Sequence, residues 1–485
     1  MNYGRMIVVS NRLPLTLSRV GDRLEIHASS GGLVTALVPI LREFGGCWVG
    51  WPGTTAGESE LCRFLNGWSA RQNCSLHPVI LSKTDKELFY NGCSNQVIWP
   101  LFHGLPSRCR FDSAYWDCYR SGNEKFASTV EDIARTGDFI WVQDYQLMLV
   151  GQSLRDRGCR NRIAYFHHIP FPPPDVFETL PWRCELLAGL MHYDVIGFQT
   201  SRDMRNFVGS VRRCLPESRI GHFGKNLLIR TNVLSARVGR YPVSIDFDEF
   251  AAHASSTTRS TAAAITQSAD GMKVILGVDR LDYTKGILQR LAGFQTFLAA
   301  HPEWHQRVVM FQVVIPSREE IAEYSQLKQE IEIAVSRING EHGTAAWVPV
   351  HYFHRSIPKD ELIGFYRAAA IALVTPLRDG MNLVAKEFCA ARTDNRGVLV
   401  LSEFAGAAEE LGTGALLVNP NDTDTIASTL HAALTMSDFE QEQRMRAMRA
   451  TIRAHDVFHW ACSFARDAGG FAAEWSSAAT RVAGA

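Results

Sequence analysis

The chain has 485 residues and a mass of 54.1 kDa, more than one ordinary core holds, so two large domains or three smaller ones are expected. Its 46% hydrophobic and 21% charged residues are those of a globular chain and exclude a disordered scaffold or a fibrous repeat. Fifty Lys+Arg against fifty Asp+Glu argue against nucleic acid as the main partner, and no apolar run is long enough to span a membrane.

In chain order, the first half predicts strands at Met6–Ser10, Cys47–Trp51, Gln96–Pro100, Phe139–Gln143, Ile163–His167 and Val195–Gln199. The second half predicts them at Lys273–Val278, Val308–Ile315, Trp347–Phe353, Ile371–Thr375, Gly397–Leu401 and Leu416–Val418. Most are continuous apolar runs, which marks parallel strands covered on both faces. Between them lie helical segments at Leu33–Phe44, Arg202–Leu215, Ile287–Ala299, Arg318–Arg337 and Thr423–Met436. The alternation gives an α/β chain of doubly wound sheets.

Met6–Ser10 is too short for a signal-peptide core and runs straight into Asn11, Arg12 and Pro14. The 11 cysteines are odd in number, lack any Cys-x-x-Cys and fall mostly before residue 215, which fits reduced thiols in a cytoplasm. The Ser/Thr/Ala-rich stretch Ala251–Gly271 puts a domain boundary just before it, near Tyr241. Domains are therefore expected at 1–241 and 242–455. A tail at 456–485, with Phe458, Trp460, Phe464, Phe471 and Trp475 on a helical pattern, is expected to pack across both.

Ligands of open α/β sheets sit beyond the carboxyl ends of the strands, so chemistry is sought in the loops there. Ser29-Ser30-Gly31-Gly32 opens a helix where amides can approach a phosphate or sugar, with Arg12 as a charged donor; the plainer reading is a turn and an exposed arginine. Asp144 and His168 each follow a strand, and His167 competes with His168 for the same role. Arg280 and Lys285 in the loop after Lys273–Val278 are placed to converge on an anion; alternatively Arg280 pairs with Asp279 or Asp282. In Thr375–Glu387 an apolar strand turns through Gly380 into a helix whose first amides, from Met381 and Asn382 to Leu383 and Val384, form an anion site. Asp379 and Glu387 flank it, one for sugar hydroxyls and one for a ribose, unless Asp379 is a simple N-cap. The Asp246/Asp248 and Asp422/Asp424 spacings are discounted as metal sites, the first as a boundary loop and the second as a helix start. No phosphate-binding P-loop and no nucleophile elbow is present.

These residues resemble the trehalose-6-phosphate synthase family of retaining glycosyltransferases. The resemblance is carried by Val8–Arg12, Gly31–Leu33, Trp48–Gly53, Phe89–Gly92 with Trp99, His168–Pro172, Gly197–Thr200, Arg280–Gly286, Arg378–Glu387 and Ser402–Ala408, in family order. It implies the GT-B fold, two doubly wound Rossmann-like domains facing across a cleft, an acceptor half and a donor half. It implies that Arg280, Lys285 and the amides of Gly380–Val384 hold the donor diphosphate, with Gly32 also on the donor side and Glu387 on the ribose. Asp379 and His168 would grip the donor glucose. Arg12, Tyr90, Trp99, Asp144 and Arg318 would bind glucose 6-phosphate, the arginines at its phosphate. Arg280, Lys285, Asp379, His168 and Asp144 are the catalytic set, with no metal and no cofactor, since the nucleotide sugar is a substrate.

One departure stands out. Where the family reads His-Asp-Tyr-His, this chain reads Gln143-Asp144-Tyr145-Gln146, which keeps hydrogen bonding and loses titration. Ser244 also replaces a usual Gly, and no phosphatase-type Asp-x-Asp-x-Thr follows. The expected reaction transfers glucose from a nucleoside diphosphate glucose, UDP-glucose first, to glucose 6-phosphate with retention. Glycerol 3-phosphate as acceptor and a catalytically dead sugar-phosphate sensor are the rivals. The expected partners are small molecules only, with homo-oligomerisation left open.

Overall fold

In the computed structural model the described residues are 4–20, 23–28, 31–54, 65, 73–256, 269, 271–318 and 321–469. They form two compact units. The first is the chain up to Val243, rejoined by the chain from Val457; the second is Ser244–Asp456.

The first unit holds strands β1 (Met6–Arg12), β2 (Leu15–Val20), β3 (Arg23–Ala28), β4 (Gly46–Trp51), β5 (Cys74–Pro78), β6 (Phe139–Gln143), β7 (Arg162–His167), β8 (Val195–Phe198), β9 (Arg219–Phe223), β10 (Asn226–Arg230) and β11 (Ser235–Arg240). Its main sheet runs β5-β4-β1-β6-β7-β8-β11-β10-β9. It is parallel from β5 to β11 and closes with antiparallel β10 and β9; β2 and β3 form a separate antiparallel pair. The second unit holds β12 (Lys273–Arg280), β13 (Val308–Ile315), β14 (Val350–His354), β15 (Ala369–Val374), β16 (Val398–Ser402) and β17 (Leu416–Val418), all parallel in the order β14-β13-β12-β15-β16-β17. Both sheets are wound outward in two directions from a central pair. That fixes a switch point between β1 and β6 in one unit and between β12 and β15 in the other, where ligand loops diverge.

The central strands are buried because helices cover both faces. Met6–Val9, Phe139–Gln143 and Val308–Val314 have almost no exposed surface. Gln96–Pro100 is not a strand: it ends a 14-residue π-helix, Asp85–Ile98, that continues into the turn Trp99–Phe102. Val97–Phe102 is buried all round, and an apolar run buried on every side looks the same in sequence whether helix or strand. The helix expected from Arg318 starts at Ala322, leaving Arg318 in the preceding loop. Trp347 lies ahead of its strand, which begins at Val350.

The tail helix Val457–Asp467 packs in the first unit. Trp460 and Phe464 lie 5.0 and 5.1 Å from Trp141, and Phe464 lies 5.0 Å from Tyr241. Asp467 then accepts from Tyr241 Oη at 2.8 Å and Asn226 Nδ2 at 2.8 Å. Phe471 and Trp475, and most of Ala251–Gly271, lie outside the described residues. No described helix is long and apolar enough to cross a membrane.

Candidate active site

At the second unit's switch point, β12 delivers Arg280 and then Asp282, whose side chain caps the turn Tyr283–Lys285. Gly286 follows in the left-handed region at φ 63°, and a Cβ there would stand 2.0 Å from Thr375 O. The close approach lets the two switch-point loops bond directly, Leu377 N to Thr284 O at 2.8 Å. Across this junction Lys285 Nζ meets Asp379 Oδ2 at 2.6 Å, and Asn382 Nδ2 donates to the same oxygen at 3.2 Å. Asn382, at φ 83°, is the N-cap of the helix Leu383–Ala391, its Oδ1 accepting from Ala385 N at 3.1 Å. Asp379 is therefore not the cap; its carboxylate is turned onto Lys285. The Leu383 and Val384 amides at the helix start have no partner within the helix and point their donors and the dipole outward.

The Asp379–Met381 backbone is braced by Ser402–Ala408. Asp379 N donates to Phe404 O, Gly406 N to Asp379 O at 3.1 Å and Ala407 N to Met381 O at 2.7 Å. A Cβ on Gly406 would fall 1.9 Å from Gly380 O. One turn into the helix, Glu387 accepts from Tyr366 Oη at 2.8 Å, and burial pushes its carboxyl pKa up. Beneath both loops the buried Arg290 pairs with Asp279 at 2.6 Å and donates to Thr375 Oγ1 at 3.1 Å.

Arg318 belongs to the same unit. Its backbone is left-handed at φ 51°, a strained state for arginine. Its Nη1 donates to Tyr324 Oη at 2.7 Å and lies 3.7 Å from Asp282 Oδ2. Burial alone would raise the Asp282 pKa, but Arg318, Lys285 and Arg280 outweigh it and hold the carboxyl below its ordinary range.

In the first unit, Arg12 ends β1 with its guanidinium 4.1 Å over the Trp51 ring and 5.3 Å from Tyr90, the two rings meeting edge-on at 5.9 Å. Trp99 is buried against His103 and Tyr145, at 4.3 and 5.5 Å. Asp144, immediately after β6, sits at φ 72° and takes the His168 amide on Oδ1 at 3.1 Å. His167 and His168 divide as alternatives. His167 is a core histidine, bonded to Tyr165 Oη at 2.9 Å and Pro170 O at 3.3 Å. His168 is half-buried, its Nε2 2.8 Å from Gln143 Oε1 and its Nδ1 3.4 Å from Gln199 Nε2. Gln199 Oε1 accepts from Val243 N at 2.8 Å, so its amide NH2 must face His168. Nδ1 is then the acceptor and Nε2 carries the proton given to Gln143. Burial, with His167 adding to it, pushes the His168 pKa down to about 3. Gly32 opens the helix Gly32–Phe44, with Thr35 N bonded to Gly31 O at 3.0 Å. Ser29 and Ser30 lie outside the described residues.

The structure thus groups Arg280, Lys285, Asp379, Gly380, Met381, Asn382, Leu383 and Val384 at two adjoining strand-to-helix junctions, with Glu387 one turn into the second helix and Arg318 tied to the first junction through Asp282. Arg12 is grouped with Tyr90, and Asp144 with His168. Sequence reading gave no site role to Trp51, Gln199 or Tyr324, whose contacts are tertiary. Both discounted Asp-x-Asp pairs carry backbone caps, Asp246 for Glu249 N at 2.9 Å and Asp422 for Thr425 N at 2.9 Å. His301, Glu303 and His431 bring ligand atoms within 4.8 Å of one another. The two imidazoles stack at 4.2 Å and 11°, and Trp304 Nε1 donates to His431 Nδ1 at 3.3 Å, so the in-plane lone pairs do not converge on an ion.

The profile of glycosyltransferase family 20 matches residues 4–469. The chain belongs to glycosyltransferase family 20. A family member from Thermoproteus tenax, a bifunctional trehalose-6-phosphate synthase/phosphatase, is 43% identical over 476 residues; these are 95% of this chain and 63% of that protein. The trehalose-6-phosphate synthase of Mycobacterium tuberculosis is 42% identical over 467 residues, 94% of this chain and 93% of that protein. The crystal structure of a UDP-forming α,α-trehalose-phosphate synthase from Burkholderia xenovorans in complex with glucose 6-phosphate superposes with a TM-score of 0.88 at 34% identity. It covers 96% of this chain and 100% of that one. The fold of this family 20 chain is accordingly GT-B, built from two doubly wound Rossmann-like units.

Proposed function

We propose that the chain transfers glucose from UDP-glucose to glucose 6-phosphate, releasing UDP and α,α-trehalose 6-phosphate with the α configuration retained. The observation that carries this reading is the Lys285–Asp379 contact of 2.6 Å beside the N-terminus of Leu383–Ala391. It puts a cation, a carboxylate and outward amides together at a sheet switch point, as a sugar diphosphate requires. The similarity to UDP-forming synthases, one of them with glucose 6-phosphate bound, supports the donor and the acceptor.

In this reading Arg280, Lys285 and the Gly380–Val384 backbone take the diphosphate, Glu387 the ribose, and Asp379 with His168 the glucose. Arg12, Tyr90, Trp99, Asp144 and Arg318 take glucose 6-phosphate. Retention through a glycosyl-enzyme would need a carboxylate free to attack the anomeric carbon, and Asp379 is committed to Lys285 and Asn382. A front-face reaction suits these residues better: the leaving phosphate accepts the proton of the incoming hydroxyl. The protein positions both substrates and stabilises charge growing on the diphosphate. Gln143, the departure from the family pattern, spends its Oε1 on His168, so it bears on the donor side and gives no support to a different acceptor. A cytoplasmic setting suits the described cysteines, which form no disulfide.

The test is a panel of nucleotide sugars and acceptors, with products identified by mass and linkage. Glucose 6-phosphate should be used and glycerol 3-phosphate should not; the reverse would replace the acceptor assignment. Arg280→Ala should keep its fold by circular dichroism and lose at least about a hundredfold in kcat, the scale of a lost charge-stabilising donor.

A further inference from the structure

We propose that Asp282 is a positioning residue that sets two of the anion-binding cations of the second unit, Lys285 and Arg318, through separate oxygens. Oδ1 shapes the turn that carries Lys285, and Oδ2 anchors Arg318. The inference rests on the reading of Lys285 as a donor-diphosphate ligand and Arg318 as an acceptor-phosphate ligand.

Asp282 is 1% exposed, so it does not reach a substrate itself. A buried carboxylate is costly unless its lone pairs are taken, and here they are divided by direction. Oδ1 accepts from Thr284 N at 3.0 Å and Thr284 Oγ1 at 2.8 Å, which closes Tyr283–Lys285 into a turn. That turn is what brings Lys285 to Asp379. Oδ2 receives the Tyr324 hydroxyl at 3.4 Å and stands 3.7 Å from Arg318 Nη1, while the same hydroxyl accepts from Arg318 at 2.7 Å. The guanidinium is thus held by a hydroxyl that is itself aimed by Asp282. Arg318 needs such an anchor, because its φ of 51° is a conformation that a free arginine leaves. Tyr283 packs on Tyr324 at 5.5 Å, a second mechanical link between the turn and the anchor.

Two effects oppose each other when the charge is removed. Losing the carboxylate leaves Arg318 and Lys285 with one fewer counter-charge, which by itself favours anions. It also releases the guanidinium from its set orientation. The ordering effect should win at the acceptor, since a bidentate arginine contact depends on geometry more than on net charge.

The test compares Asp282→Asn, Asp282→Ala, Arg318→Ala and the Asp282→Asn/Arg318→Ala double variant, with KM for each substrate measured from UDP release. Asp282→Asn keeps an acceptor for Thr284 and loses the one facing Arg318. It should raise the KM for glucose 6-phosphate about tenfold, with the KM for UDP-glucose within about twofold and kcat little changed. Asp282→Ala should raise both KM values; if it fails to fold, the asparagine variant carries the test. In the double variant the acceptor KM should match that of Arg318→Ala alone, because both changes break one path. Full additivity, or an Asp282→Asn protein with an unaltered acceptor KM beside an impaired Arg318→Ala, overturns the proposal. An unaltered acceptor KM in Arg318→Ala fails the reading of Arg318 instead, and the acceptor arm falls with it.

Discussion

At the scale of single residues, His168 has both ring nitrogens engaged within the protein, by Gln143 at 2.8 Å and Gln199 at 3.4 Å. Its pKa of about 3, and the same value for His167, fix the direction of a pH effect. A histidine whose folded pKa lies below its ordinary value near 6.5 binds its proton in the unfolded chain first. Stability is therefore unaffected above that value and falls as pH drops from about 6.5 toward 3. Each such histidine should remove about 2 kcal/mol between pH 7 and pH 5. Urea denaturation of His168→Gln at the two pH values should show a pH-dependent loss smaller by that amount than in the parent; an equal loss contradicts the assignment of a neutral His168. Glycine marks a tight turn in a sequence, but Asp144, Arg318 and Asn382 reach positive φ without it. Their strain is illegible for that reason, although chemistry singles out Asp144 and Asn382 and the family resemblance singles out Arg318.

At the scale of elements, the legible features were those encoded locally. Val308–Ile315 and Phe139–Gln143 read as strands because continuous apolar runs of that length fit a sheet covered on both faces. β9, β10 and β11 were missed because their sequences mix charge with apolar residues, as suits the end of a sheet, where β11 joins the parallel core and β10 and β9 add antiparallel strands with exposed positions. The role of Ser402–Ala408 was also hidden: it is a backbone brace, and its glycine is needed only because Gly380 O lies where a Cβ would stand. Gly406→Ala should therefore displace the Asp379–Met381 loop. The expected result is a donor KM raised at least about tenfold, with the acceptor KM less affected, beside a destabilisation of about 1–3 kcal/mol from overpacking. Wild-type donor kinetics in this variant would show that the brace does not position the loop.

At the scale of the whole molecule, the zero net charge is repeated locally. Lys285 and Arg318 are each matched to a carboxylate, Asp379 and Asp282, so the anion sites are built from oriented pairs and amides as much as from excess charge. Two doubly wound units were legible in the strand–helix alternation. The return of the tail to the first unit was not, because its aromatic pattern states that it packs and not on what. Trp460→Ala should cost the first unit about 3–5 kcal/mol. Hydrogen exchange should rise in β6 and β7 and stay unchanged in β12 and β15; a uniform rise would contradict two separately cored units. The central claim is the reaction itself, and proton NMR of the protein with UDP-glucose and glucose 6-phosphate tests it most directly. UDP should be released one for one with a disaccharide phosphate whose two anomeric protons are both α-configured. A β-linked or non-phosphorylated product, or UDP-glucose hydrolysis without transfer, would contradict the account.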